Sequence, residues 1–213
     1  MRTEQLIGLL AAGETRVTPH LVPKRFAAAL GWSMPLAALV MVIVYGVRAD
    51  LVQALSGTVF WIKLAFAGAL ALFAGLATDR LGRPGVRVGR VWAGLAAPVV
   101  LLWLWAAAAL VGADPAEHAD LVFGSTWRSC PFNIALISLP MLAAMLWFVK
   151  GMAPTEPALA GASAGLLSGA MATLIYALHC PESSVTFVGI WYVLGIALAT
   201  LAGAALGQRL LRW

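Results

Sequence analysis

Charged side chains are scarce in this sequence, and acidic ones are absent from its long apolar stretches. Only 11% of the 213 residues are charged, whereas 62% are hydrophobic. A soluble domain of this length has too small an interior to bury so much apolar surface. The composition therefore leaves no room for a soluble catalytic domain and predicts a protein whose solvent is mostly lipid.

Several motifs that support common chemistries are also missing. The sequence contains no glycine-rich phosphate loop and no H-E-x-x-H zinc motif, and its two cysteines do not form a C-x-x-C pair. The long apolar stretches hold no Asp, Glu or His, and their one basic residue, Lys63, is expected to reach outwards from a helix end. Because transport needs polar groups at mid-membrane, proton and cation transport are disfavoured.

Six apolar stretches are each long enough to cross a membrane as a helix. A spanning helix needs roughly 20 apolar residues, because each residue rises about 1.5 Å through about 30 Å of hydrocarbon. The stretches lie at residues 26–47, 59–78, 91–112, 132–149, 158–178 and 185–206. They lack the alternation of a membrane β-barrel. The expected fold class is an all-α membrane protein, a bundle of six transmembrane helices, with an N-terminal tail at 1–25, a transmembrane domain at 26–206 and a stub at 207–213.

The lysines and arginines predict the orientation of these helices in the lipid bilayer. If the N-terminus is inside, the basic residues of the inner side are Arg2, Arg16, Lys24, Arg25, Arg80, Arg83, Arg87, Arg90, Lys150, Arg209 and Arg212. The outer loops hold only Arg48 and Arg128. Because cytoplasmic loops carry the positive excess, we expect a multi-pass protein of the bacterial inner membrane with both termini in the cytoplasm. This distribution also accounts for the net charge of +5 without a nucleic-acid partner.

The two cysteines are expected to lie together at the outer surface. Cys130 precedes the fourth stretch and Cys180 follows the fifth, and a short loop makes these helices antiparallel neighbours. Three interpretations stay open: a structural disulfide, a switchable thiol pair that senses oxidant or thiophilic metal, and catalysis. His179 adds a nitrogen donor, so Cys130, Cys180 and His179 form a candidate site for a transient soft metal, with no resident cofactor expected.

The N-terminal tail contains a short amphipathic pattern. Thr3 is placed to cap a helix in which Leu6, Leu9 and Leu10 share one face, with Ile7 beside them. Such an element is stable only when it packs on something. Its apolar face fits either the lipid surface or a cytoplasmic partner, and the sequence leaves both open.

With these features assembled, the chain resembles the NrsF family of membrane-bound anti-sigma factors from proteobacteria. The resemblance rests on Arg2-Thr3-Glu4-Gln5-Leu6-Ile7, Cys130-Pro131-Phe132, Ile137-Ser138-Leu139-Pro140, Pro157-Ala158-Leu159-Ala160-Gly161, Tyr176-Ala177-Leu178-His179-Cys180-Pro181-Glu182, Trp191-Tyr192 and Arg209-Leu210-Leu211-Arg212-Trp213. It implies a six-helix inner-membrane protein, not an enzyme, that sequesters an extracytoplasmic-function sigma factor and releases it under stress.

The resemblance also assigns roles to residues. The cysteines that the family associates with signal perception correspond to Cys130 and Cys180, and the face formed by Leu6, Ile7, Leu9 and Leu10 becomes a sigma contact. The alternative function is a membrane thiol oxidoreductase or a small metal transporter. Both alternatives lack expected features, because the chain has no second cysteine pair and no polar ligands at mid-membrane.

Overall fold

The computed structural model describes residues 3–12 and 20–212, and no β-strand occurs among them. In chain order the helices are α1 (Thr3–Ala12), α2 (Leu21–Val44), α3 (Leu51–Ala54), α4 (Thr58–Gly82), α5 (Val91–Gly112), α6 (His118–Phe123), α7 (Cys130–Lys150), α8 (Pro157–Tyr176) and α9 (Val185–Leu210). Six of these, namely α2, α4, α5, α7, α8 and α9, are long and apolar enough to cross a membrane. The expected all-α bundle of six spanning helices is confirmed.

Three spanning helices differ from the sequence-based boundaries by four residues or more, and one of them is α4, which ends at Gly82 rather than at residue 78. α2 begins at Leu21 rather than at residue 26, and Pro23 therefore lies in its first turn. Proline is tolerated there because the first N–H groups of a helix have no acceptor within the helix. α9 continues to Leu210 and contains a π-helical segment, Val188–Tyr192, that periodicity does not reveal.

The central helix of the bundle is α8, which packs against α4, α7 and α9. Its buried residues are mostly small: Ala160, Gly161, Ser163, Ala164, Gly165, Ser168, Gly169, Ala170, Ala172 and Thr173. Its buried hydroxyl groups donate to carbonyls of the preceding turn, as Ser168 Oγ does to Ala164 O at 2.7 Å. Small side chains allow close helix packing, and the hydroxyl groups find acceptors without a polar partner helix.

The glycines of α8 face the small residues of α9 so closely that the two backbones touch. A Cβ atom added at Gly203 would meet the carbonyl oxygen of Gly161 and would lie 2.8 Å from the Cα atom of Gly165. A Cβ atom added at Gly165 would meet the carbonyl oxygen of Ala199. The small-residue stripes thus pack against each other within one bundle, and we call this contact the α8–α9 seam.

The chain brings the end of α2, the start of α4, the start of α7 and the end of α8 to one end of the bundle. A backbone hydrogen bond of 3.1 Å from Arg48 N to Leu178 O joins two of these segments. We call this the outer end, after the orientation that the basic residues predict, and the opposite one the inner end. That orientation itself stays a prediction.

The α8–α9 seam predicts an asymmetric response to Gly→Ala substitutions. Gly203→Ala should lower the free energy of unfolding by about 2 kcal/mol, because the added methyl group meets backbone atoms that cannot turn away. Gly68→Ala in α4 is the matched control, since no atom lies within 4 Å of the added Cβ atom. It should leave stability unchanged or raise it by up to about 1 kcal/mol. Thermal melting of both variants in detergent tests this; equal melting temperatures would contradict the close backbone packing.

Candidate functional site

Cys130 and Cys180 meet in the interior of the outer end. Cys130 is the first residue of α7, and Cys180 lies in the loop between α8 and α9. Both side chains are 0% exposed, and both thiols are free. The thiol groups lie within hydrogen-bonding reach of each other. The structure therefore assembles a buried dithiol from residues that are far apart in the sequence.

Two buried tyrosines line the dithiol. The Tyr176 hydroxyl lies beside Cys130 and accepts a hydrogen bond of 3.4 Å from Asn133 Nδ2. Tyr192, at the end of the π-helical segment, lies beside Cys180, and the two tyrosine rings are 5.9 Å apart. Large aromatic side chains thus enclose the sulfur atoms on the side of α8 and α9, and they exclude bulky reagents from this direction.

Two cations hold the loop that carries Cys180. The Lys63 ammonium group donates to the carbonyl oxygens of Cys180, at 3.4 Å, and of Glu182. Arg48 Nη1 donates to the same Cys180 carbonyl at 3.0 Å, while its other guanidinium nitrogens pair with Asp50. Lys63 reaches towards the outer end, as expected, but it is only 1% exposed because the loop covers it. Its buried position is tolerated because the loop folds over it and supplies the acceptors that water would otherwise provide.

The Glu182 carboxylate fastens the same loop to the segment before α7. Its Oε1 atom accepts four hydrogen bonds, two from the backbone N–H groups of Ser125 and Thr126 and two from their hydroxyl groups, at 2.7 to 3.0 Å. Partial burial opposes ionisation of this carboxyl group, but these hydrogen bonds outweigh it and lower its pKa. The outer loop between α5 and α7 is thereby held down over the dithiol.

The surroundings of Cys180 favour its thiolate form. Interaction with the neighbouring Cys130 thiol lowers the pKa of the Cys180 thiol, and the Lys63 ammonium group acts in the same direction, whereas burial acts against both. Since thiolates are the reactive form, Cys180 is the expected nucleophile of the pair. A position at a helix start, such as that of Cys130, also favours a thiolate, so the Lys63 contact, which the sequence does not show, is what distinguishes Cys180.

His179 is directed away from a shared metal site. Its Nδ1 atom lies 2.9 Å from the carbonyl oxygen of Gly46, and its ring packs between those of Tyr45 and Tyr176. In the described part of the chain, no three His, Cys, Asp or Glu side chains converge as metal ligands. A soft metal at this site would be held by the two sulfur atoms.

Two further sequence features have structural explanations or fall outside the described residues. Residues 161–165 read G-A-S-A-G, the spacing of a nucleophile motif, but Ser163 Oγ donates to Ala160 O within α8 and packs in the bundle. The tail forms helix α1, and Ile7 is 60% exposed. The side chains of Leu6, Leu9 and Leu10 lie outside the part of the structure that is described.

Comparisons with known proteins agree over nearly the full length of the chain. Residues 10–213 match the NrsF family, described as "Negative regulator of sigma F". The chain is 45% identical to a "Probable anti-sigma-F factor NrsF" of Azospira oryzae and 41% identical to the "Anti-sigma-F factor NrsF" of Caulobacter vibrioides. Both alignments cover 100% of each chain. No solved structure matches.

The Glu182 hydrogen bonds predict that one substitution can weaken the attachment of this loop to the segment before α7. Glu182→Ala should lower the free energy of unfolding by about 1 kcal/mol, after allowance for solvent screening, because four donors lose their acceptor. The exposed Glu117→Ala on the same outer loop is the control and should leave stability unchanged. Thermal melting at neutral pH in detergent measures both. A Glu182→Ala variant as stable as the control would show that the carboxylate does not hold this loop.

Proposed function

This chain belongs to the NrsF family of negative regulators of sigma F, and from that premise we propose that it is a membrane-bound anti-sigma factor. It holds an extracytoplasmic-function sigma factor at the inner membrane and releases it when oxidant or a thiophilic metal modifies the Cys130–Cys180 pair. The family is one of regulatory binding proteins rather than enzymes. The observation that carries the sensing part of the proposal is the buried, free dithiol.

Access to the dithiol favours small reagents. A cavity of about 240 Å³ opens at the outer end and is lined by Arg48, Asp50, Gly57, Lys63, Glu182 and Ser183. It reaches Lys63 and Glu182, which flank Cys180, while the sulfur atoms themselves stay covered. Small oxidants and bare metal ions fit this path, and protein oxidants do not. A soft metal would bind to the two thiolates, because sulfur is the ligand that such ions prefer.

The proposed sigma-binding surface lies at the inner end. The loop between α4 and α5 exposes Arg83, Arg87 and Arg90, and the start of α5 exposes Trp92. With the N-terminus inside, these residues and the tail helix α1 face the cytoplasm, where the sigma factor is. The exposed Ile7 supplies an apolar contact from the tail. The sequence pattern adds Leu6, Leu9 and Leu10 to the proposed contact. Lipid binding of α1 is the alternative for that face.

The rival chemistry of a thiol oxidoreductase needs a second thiol pair to receive electrons, and the chain has only two cysteines. A regulator needs no second thiol pair, because a change in its affinity for the sigma factor is sufficient. A tenfold change in sigma affinity corresponds to about 1.4 kcal/mol of coupling between the two ends of the bundle. A small rearrangement of packed helices is sufficient for such a change.

Co-purification tests the function directly. The full-length protein should retain its sigma factor from host membranes, and hydrogen peroxide or cadmium treatment should release it. Cys130→Ser and Cys180→Ser variants should retain the sigma factor but lose release, because neither can form the two-sulfur product. Ala177→Ser, which adds the same hydroxyl group at another buried position of the outer end, is the control and should release normally.

Two outcomes count against parts of the proposal. If both cysteine variants release the sigma factor as the wild type does, the thiols are not the sensor. In the same assay Ile7→Asp should reduce retention at least tenfold, because a charge replaces an apolar contact. Full retention by Ile7→Asp would assign the α1 face to lipid rather than to the sigma factor.

A further inference from the structure

We propose that Lys63 is the positioning residue that transmits the state of Cys180 along α4 to the inner end. The inference rests on the proposed function, because it explains how a change at the dithiol reaches the sigma-binding surface. It assigns the transmitting role to α4 rather than to the α8–α9 seam.

The loop that carries Cys180 supplies the hydrogen-bond acceptors of the Lys63 ammonium group. It is 1% exposed, and no carboxylate pairs with it in the described part of the chain. The nearest candidate, Glu182, directs its carboxylate to Ser125 and Thr126 instead. The ammonium group therefore relies on the carbonyl oxygens of Cys180 and Glu182 and on the Tyr192 ring, whose centroid is 5.6 Å away. An unpaired buried ammonium group costs several kcal/mol, so these contacts must be kept in any stable state.

A bond between the sulfur atoms displaces these acceptors. Disulfide formation brings two non-bonded sulfur atoms to about 2.0 Å, which shifts the backbone of Cys180. One of the two carbonyl groups that hold Lys63 belongs to Cys180 itself. Because the ammonium group cannot be left without acceptors, Lys63 must follow the loop or be expelled from its site. Either response moves the outer part of α4.

α4 is a continuous helix that reaches both inner loops. About 28 Å of helix separates Lys63 from Gly82, at about 1.5 Å for each residue. Near its inner end Arg80 Nη1 donates to Val88 O at 2.8 Å. A Cβ atom added at Gly82 would lie 2.9 Å from Met152 in the next inner loop. A cavity of about 440 Å³ lies between these loops and is lined by Leu81, Arg83, Val86, Trp92, Glu156 and Leu159.

The other outer-end contacts are less able to carry the change. Arg48 shares the Cys180 carbonyl, but it lies beyond the end of α2, and its guanidinium group is paired with the exposed Asp50, so it can move without its helix. The α8–α9 seam joins backbone to backbone at Gly161, Gly165 and Gly203 and resists sliding. Lys63 is thus the contact that ties Cys180 to a helix outside the α8–α9 seam.

The experiment measures disulfide formation and release of the sigma factor separately. Full-length protein in nanodiscs, with its sigma factor bound, is treated with hydrogen peroxide. In the reaction the two thiols lose two protons and two electrons, the S–S bond forms, and the peroxide is reduced to two waters. Disulfide content is measured by thiol labelling after denaturation, and sigma retention by co-purification. The wild type should form the disulfide and lose at least tenfold in affinity.

Lys63→Met should form the disulfide but change affinity less than twofold, because the loop no longer pulls on α4. Lys63→Arg should restore release, since it returns a cation with several donors. Arg128→Met, which removes an exposed cation of the outer loop that contacts the Trp127 ring, is the matched control and should behave as the wild type. Where Lys63→Met does not fold, Lys63→Gln, which keeps a neutral donor, replaces it in the same comparison.

Three results are distinguishable. If the Lys63→Met or Lys63→Gln variant releases the sigma factor as the wild type does, Lys63 only stabilises the fold and the inference is overturned. If the variant folds but forms no disulfide, Lys63 acts on the thiol chemistry and the transmitting role is again overturned. If the wild type forms the disulfide and keeps its sigma factor, the proposed function itself fails.

Discussion

A lysine ammonium group buried in an apolar bundle must be given hydrogen-bond acceptors, and much of the outer end is arranged around this requirement. Lys63 receives carbonyl groups from the loop between α8 and α9, and that loop also holds Cys180. Arg48 reinforces the loop from the end of α2, and Glu182 ties it to the segment before α7. The geometry of the dithiol therefore follows from contacts that satisfy buried charge.

The packing of the helices limits which of them can move when the outer end rearranges. The α8–α9 seam leaves no space between backbones, so these two helices act as a fixed centre. α4 lies along this centre, holds the thiol loop at one end and contacts two inner loops at the other. A regulator that reads chemistry on one side of a membrane and binds a partner on the other needs such a connection. In our proposal, one side chain, Lys63, and one helix, α4, make this connection.

The amino-acid sequence was sufficient for the six helices and for the approach of the cysteines. Apolar length defined the helices, and chain topology placed Cys130 and Cys180 at the same end of neighbouring helices. The small residues of α8 and α9 are also visible in the sequence, and such residues are typical of close helix packing. These features depend on local composition and on the alternating direction of successive spans, which are both readable from one sequence.

The contacts that give the site its chemistry could not be predicted in this way. Lys63 is bound by backbone carbonyl groups, which every residue has, so no residue type marks its partners. His179 was an apparent metal ligand because it adjoins Cys180, yet its side chain points to Gly46. Adjacent residues in an irregular loop point in different directions, and only the three-dimensional path of the loop shows where.

Hydrogen exchange at the inner end tests the central claim most directly. Backbone amides of residues 83–90 would be followed by mass spectrometry in nanodiscs, with the dithiol reduced and then oxidised. The account predicts faster exchange in this loop after oxidation, because displacement of α4 weakens the Arg80 contact to Val88. Unchanged exchange in 83–90, in protein whose disulfide has formed and whose sigma factor has left, would contradict transmission through α4.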